Sequence, residues 1–220
     1  MNRIHHWLCR SERWRKELGA NVIPWALDGV DLGSNVLEVG PGPGLTTDIL
    51  RCHLARLTAL EIDSTLANSL AARMRSSNVT VVQGDATTMP FRDAQFSGAV
   101  CFTMLHHVPS PALQDLLLRE VLRVLQPRAM LVGVDGLTSP FMRLIHIFDT
   151  LVPIDPATFP ARLQTAGFEE TVVEANPTRF RFRARKPCER PLGSVFAVGK
   201  DRDNAVGKVF FGTLVIAAFD

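Results

Sequence analysis

The stretch Val36-Leu37-Glu38-Val39-Gly40-Pro41-Gly42-Pro43-Gly44-Leu45 constrains the fold of this chain more than any other. An apolar run with one carboxylate meets three glycines alternating with two prolines, and a helical pattern with Leu45, Ile49 and Leu50 follows. Glycine adopts positive φ and lets the backbone approach a ligand, while Pro41 and Pro43 fix φ and delay the helix. The spacing predicts a strand over Asn35 to Val39, a stiff bare turn, and a helix over 45–54. The alternation then repeats. Leu57 to Ile62 reads as a second strand, with Asp63 or Ser64 capping a helix that carries Leu66, Leu70 and Met74. Val79 to Val82 and Phe96 to Phe102 are the third and fourth strands. Ser110-Pro111 opens a helix whose buried face is Leu113, Leu116, Leu117, Val121 and Val124. Ala129 to Val134 is the fifth strand, broken at Asp135-Gly136. Five strands separated by helices predict a doubly wound parallel α/β sheet with right-handed crossovers.

The flanks add detail. Ile4, Trp7, Leu8, Trp14, Leu18, Ile23 and Trp25 give residues 1–30 a helical cap, in which the tryptophans are expected to cover the core, with covering a ligand as the alternative. Leu137 to Pro153 is irregular, yet Phe141, Leu144, Ile145 and Phe148 share a helical face. Pro156 to Ala166 reads as a helix stopped by Gly167. Glu169–Ala175 and Arg179–Arg185, joined at Asn176-Pro177, form an antiparallel hairpin. The alternation Arg179-Phe180-Arg181-Phe182-Arg183 is expected to bury its phenylalanines and leave its arginines in water, as an outward-charged strand does, rather than to bind nucleic acid.

The chain's 220 residues suit one such domain, and a net charge of +2 names no polyanionic partner. Cys9, Cys52, Cys101 and Cys188 show no C-x-x-C spacing, so neither a metal site nor a disulfide framework is expected, and free thiols point to the cytoplasm. Basic residues at Arg10, Arg13 and Arg15 occupy the place where a secretion signal needs an apolar core. The apolar run Val209 to Phe219 is too short to cross a bilayer, so no integral membrane segment is expected.

Four features stand in order: the glycine turn, Glu61 about twenty residues later, Gln83-Gly84-Asp85-Ala86 after the third strand, and the continuation to Met89-Pro90-Phe91. Together they resemble class I S-adenosylmethionine-dependent methyltransferases, in the small-molecule branch related to the ubiquinone and menaquinone methylases, over residues 30 to 186. The resemblance implies a Rossmann-like, doubly wound, seven-stranded, mostly parallel sheet with a C-terminal antiparallel hairpin strand and helices on both faces. It assigns 1–187 to the methyltransferase domain and leaves 188–220 as an extension without a role. S-adenosyl-L-methionine would lie against Gly40, Pro41, Gly42 and Gly44. Glu38 would face its positively charged end or else serve as a helix-terminus partner. Glu61 would accept the ribose hydroxyls, Ile62 would meet the adenine face, and Asp85 and Ala86 would read the adenine edge. Phe102, at the end of the fourth strand, would face the transferred methyl. A nicotinamide enzyme uses similar geometry but needs G-x-G-x-x-G, and here the spacing is G-x-G-x-G.

Methyl transfer needs alignment above all, and a base only to remove the acceptor's proton. His106 in Leu105-His106-His107-Val108 is the catalytic candidate, being nearer the strand end than His107, although the run also serves as a lead into the next helix. His146 and Asp135 are further candidates. Residues 137–155 are the expected acceptor lid, and Phe141, Met142, Ile145 and Phe148 point to a small hydrophobic or aromatic acceptor methylated at oxygen, nitrogen or carbon. The alternatives are a scaffold that binds the cofactor without turnover and an RNA methyltransferase; Phe102-Thr103-Met104-Leu105 does not match the Asn-Pro-Pro-aromatic run of base-amine methylases. Nucleic acid is therefore not the expected partner. A homodimer through the N-terminal helices or the C-terminal extension is the arrangement left open.

Overall fold

The structure is a computed structural model that describes residues 10–188, without the side chain of Phe141. Trp7, Cys9 and nearly all of the expected 188–220 extension lie outside the described residues.

Seven strands form one sheet in the order β3-β2-β1-β4-β5-β7-β6. They are β1 Asn35–Val39, β2 Arg56–Glu61, β3 Val79–Gln83, β4 Phe96–Phe102, β5 Leu125–Gly136, β6 Glu169–Ala175 and β7 Arg179–Arg185. The pairs among β1 to β5 are parallel, and only β7 runs against its neighbours on both sides. The chain winds outward from β1 through β2 to β3 and then returns to place β4 on the other side of β1. That reversal opens a crevice at the carboxyl ends of β1 and β4, where open α/β sheets hold ligands.

The helices cover both faces. On one side, α1 Glu12–Glu17, a π-turn Leu18–Val22 and α2 Ile23–Leu27 run on without a break, followed by α3 Leu45–Leu50 and α4 Ser64–Arg73. Ser11 caps α1 by accepting the Trp14 amide at 3.2 Å, and Asp63 caps α4 by accepting the amides of Thr65 and Leu66. The π-turn has a local cause. Pro24 has no N–H to offer Ala20, and just before it the Ile23 amide bonds Leu18 five residues back, one residue further than in an α-helix. On the other side, α5 Pro111–Val124 and α7 Phe159–Ala166 pack over the sheet, and α6 Pro140–Ile145 follows β5. Ser110 caps α5, whose expected apolar residues Leu117, Val121 and Val124 are buried, while Leu116 is exposed. No helix among the described residues is long and apolar enough to cross a membrane.

Three expectations are corrected. The helix after β1 ends at Leu50, four residues early, and passes into turns through His53. Strand β5 starts at Leu125 instead of Ala129, because Leu125 pairs with Phe96 ahead of a bulge that shifts the register to Gly98 and Met130. The arginines of β7 are not a solvated face. β7 lies between β5 and β6, and its polar side meets the N-terminal helices: Arg179 pairs with Glu17 at 3.0 Å, and Arg181 donates to the Trp25 carbonyl. Arg181 also lies 5.1 Å from the centre of the Trp25 ring and Arg179 lies 5.8 Å from that of Trp14. Arg179 and Arg181 therefore attach the helical cap to the sheet, while Arg185 pairs with Glu170 of β6.

The opposite side of β7 is core. Phe182 is fully buried, edge-on to Phe159 at 5.0 Å. It stands opposite Gly133 of β5, where any Cβ would collide with the Phe182 ring, so glycine there makes room for the aromatic. Phe182→Ala should therefore cost about 3–5 kcal/mol, read as a lower urea midpoint with little change in the denaturant slope.

Candidate functional site

Gly40, Gly42 and Gly44 hold φ of 67°, 55° and 81°, so the turn after β1 is left-handed at every glycine. The Gly40 amide donates to the Leu60 carbonyl at 2.9 Å and the Gly44 amide to the Pro41 carbonyl at 2.9 Å. The Gly42 amide donates to Glu61 Oε2 at 2.8 Å. A Cβ built on Gly42 would meet nothing within 4 Å, which leaves open space over that residue alone of the three. Gly44 faces Leu70 and Arg73 of α4 and Gly40 faces Met104, so those two glycines admit protein neighbours.

The space over Gly42 is a cleft of about 440 Å³ at the β1/β4 crevice. Of the expected cofactor residues, Gly40, Pro41, Gly42, Glu61, Ile62, Asp85, Ala86 and Phe102 line it, while Glu38 and Gly44 do not. Glu61 is buried, and besides Gly42 it accepts the Asp63 amide at 3.0 Å through Oε1. Each carboxylate oxygen has two lone pairs, so each keeps one for a further donor. Ile62 is 66% exposed beside it, an apolar side chain mostly open to solvent. Asp85 Oδ1 accepts the Thr87 amide and hydroxyl, each at 2.8 Å, and so shapes the turn on the far wall. That wall is braced from α5. Glu120 accepts the Met89 amide at 2.8 Å, and Arg123 donates to the carbonyls of Met89 at 3.0 Å and Phe91 at 2.7 Å. The Met89-Pro90-Phe91 part of the motif is thus tied down rather than presented to the cleft. The hydrogen bond from Arg123 is the main reason the Glu120 carboxyl titrates below its ordinary range.

Glu38 lies beneath the turn, accepting from the Thr46 hydroxyl and, at 2.7 Å, from that of Thr47 in the first turn of α3. It takes the helix-terminus role. Burial pushes its carboxyl up to about 7, against the lowering effect of the two hydroxyls and with help from the charges of Asp48 and Glu61. The folded chain therefore keeps a proton between about pH 4.5 and 7 that the unfolded chain has released, so this group's contribution is largest below pH 4.5 and is lost as pH rises through 7. Glu38→Gln should match the parent at pH 4 and exceed its stability at pH 8 by up to about 3 kcal/mol, by urea titration without cofactor.

At the other end of the cleft, β4 stops at Thr103, whose amide bonds the Val134 carbonyl at 2.7 Å, and a short 3₁₀ turn Leu105–His107 begins. His106, the expected catalytic residue, is 3% exposed and does not line the cleft; His107 does. His106 Nδ1 lies 2.5 Å from Asp135 Oδ1, which also accepts the Gly136 amide at 2.7 Å. The carboxylate is an acceptor, so Nδ1 carries the proton. His146 packs beside both His106 and His107, with Nδ1 donating to the Met142 carbonyl at 2.7 Å. Burial, its largest influence, shifts His146 below the ordinary imidazole range.

From the expected lid only Asp149 and Thr150 reach the cleft. Phe148 is fully exposed, as Leu144 and Ile147 largely are, so that apolar face does not line the site. Trp14 and Leu18 do line it, placing the N-terminal helices over the cleft. For Trp14 the core-covering expectation is incomplete; the helical pattern shows that it is buried on one side but not what it faces.

Residues 37–133 match a family described as "Methyltransferase domain". Over those residues, somewhat less than half of its length, the chain is similar to methyltransferase domains. A ribosomal RNA small subunit methyltransferase A from Geobacter metallireducens is 38% identical to it over 90 residues, covering 37% of this chain and 33% of that protein. The enzyme of the same name from Bordetella avium is 28% identical over 191 residues, covering 72% and 71%. The chain thus spans about a third of the length of the first of these relatives and most of the second. The crystal structure of a SAM-dependent methyltransferase from Aquifex aeolicus shares the fold of the methyltransferase domain, with a TM-score of 0.60 at 18% identity over 80% of this chain and 98% of that one.

Proposed function

We propose that the chain transfers the methyl group of S-adenosylmethionine to a small-molecule acceptor. The observation that carries this reading is Glu61: a buried carboxylate at the end of β2, tied to the Gly42 amide and keeping a lone pair on each oxygen toward the cleft. The cofactor fits these residues. The open space over Gly42 suits its aminocarboxypropyl arm, Glu61 its ribose hydroxyls, and exposed Ile62 with Ala86 its adenine. When bound it supplies an electrophilic methyl on a positively charged sulfur.

The chain supplies alignment and a place for a proton. Phe102, Thr103 and Met104 wall the cleft at the end of β4. His107 faces the acceptor there and His106 stands behind it, its ring held by Asp135. The acceptor's proton passes to this histidine pair, and the apolar residues after β4 favour a hydrophobic or aromatic acceptor. Titration calorimetry with S-adenosylhomocysteine tests the cofactor site, and a screen of quinols, phenols and amines for its production tests the acceptor class. The activity of the ribosomal RNA methyltransferases to which the chain is similar supports a second reading, transfer to RNA. Methyl label appearing in ribosomal RNA and in none of the small molecules decides for it; cofactor binding with no turnover on either decides for a scaffold.

A further inference from the structure

We propose that His106, His107 and His146 form a binding site for a divalent transition-metal ion, zinc by ligand preference, at the acceptor end of the cleft. The three imidazoles come from two distant segments, the turn after β4 and the end of α6, yet their ring centres lie 4.2 Å, 5.0 Å and 5.1 Å apart. One ligand nitrogen from each falls within 4.8 Å of the others. A tetrahedral ion with bonds of about 2.0–2.1 Å needs its nitrogens roughly 3.4 Å apart. Closing the triangle therefore takes ring movements on the order of 1 Å.

The surroundings are those of a ligand set. A histidine that binds a metal through one nitrogen gives its other N–H to a carboxylate or a backbone carbonyl, which fixes the tautomer and the ring plane. His106 Nδ1 does this with Asp135 at 2.5 Å, and His146 Nδ1 does it with the Met142 carbonyl at 2.7 Å. Both arrangements place the remaining lone pair on Nε2. The supports are themselves anchored: Asp135 is 1% exposed and also accepts the His106 amide at 3.3 Å, and the His106 carbonyl accepts the Val152 amide at 2.8 Å. His107 and Asp149 open onto the cleft, so a fourth position is reachable by water, by the Asp149 carboxylate or by a substrate oxygen. Three nitrogen donors plus one open position is the composition of a catalytic zinc site rather than a structural one. Cysteine spacing pointed to no metal, but that argument concerns thiolates; imidazoles brought together from the ends of two elements leave no spacing to find.

An ion here would polarise an acceptor oxygen beside the methyl donor and let it shed its proton to water, in place of the histidine pair, whose lone pairs the ion would take. That use rests on the transfer reading, whereas metal binding does not, so the two are separable. The test is titration of chelator-treated full-length protein with Co²⁺ alone, followed by absorption spectroscopy and by competition with Zn²⁺. One equivalent of cobalt should give the visible absorption of a four-coordinate nitrogen site, and zinc should abolish it. His146→Gln and His107→Gln should lose the band, and Asp135→Asn should keep it with affinity weakened by about 10–100-fold. Absence of the band in the parent protein overturns the site whatever the variants do, as does an unchanged band in a folded His146→Gln. A parallel titration with S-adenosylhomocysteine reports on the cofactor reading independently of either result.

Discussion

Gly42→Val should remove cofactor binding while leaving a folded protein. The residue holds φ of 55°, and a Cβ there meets no protein atom within 4 Å. The fold therefore pays only the left-handed backbone cost, about 1–2 kcal/mol for a residue with a Cβ. The two γ-methyls, however, enter the space proposed for the aminocarboxypropyl arm. Gly44→Val is the contrasting variant, since its side chain would strike Leu70 and Arg73 and should destabilise the chain directly. The expected result for Gly42→Val is a small drop in melting temperature and no detectable heat on titration with S-adenosylhomocysteine. Affinity equal to the parent's would show that the glycine turn does not cradle the ligand.

Glu61→Ala should be nearly as damaging. Two ribose hydroxyls bonded to a carboxylate are worth about 1.5–3 kcal/mol each, so their loss corresponds to an affinity lower by roughly 10²–10⁴-fold. The same carboxylate bonds the amides of Gly42 and Asp63, so the alanine variant also releases the turns after β1 and β2. Glu61→Gln separates the effects, because it keeps the volume and one acceptor oxygen while replacing the other with a donor. It should retain the melting temperature better than the alanine variant and still bind weakly. Unchanged affinity in both variants would remove the ribose assignment.

Much of this was legible from one chain. Strands β1, β4, β6 and β7 run between the residues their patterns predicted, because alternation, glycine stops and the Asn176-Pro177 turn are local signals. That most of the proposed cofactor residues line one cleft was legible for a similar reason, since they sit at strand ends marked by a glycine or an acid. What stayed hidden depends on neighbours. The start of β5 is set by Phe96 across a bulge, and the fate of the β7 arginines by helices more than 150 residues away in sequence. Glu38 reads as a ligand group until Thr46 and Thr47 are seen to claim it. Between His106 and His107, nearness to the strand end was the wrong guide to exposure, because a 3₁₀ turn swings one inward and the other to the cleft.

The reversal of winding at β1 has an evolutionary corollary. Everything proposed to hold the nucleoside comes from the ends of β1, β2 and β3, while the histidines, Asp135 and Asp149 follow β4 and β5. The two sets of loops meet along a single seam and share few covalent neighbours. Drift or recombination can rewrite what is methylated while the grip on the donor stays as it was, so a graft of residues 103–110 and 137–155 from another member onto this sheet should carry that member's acceptor choice with it.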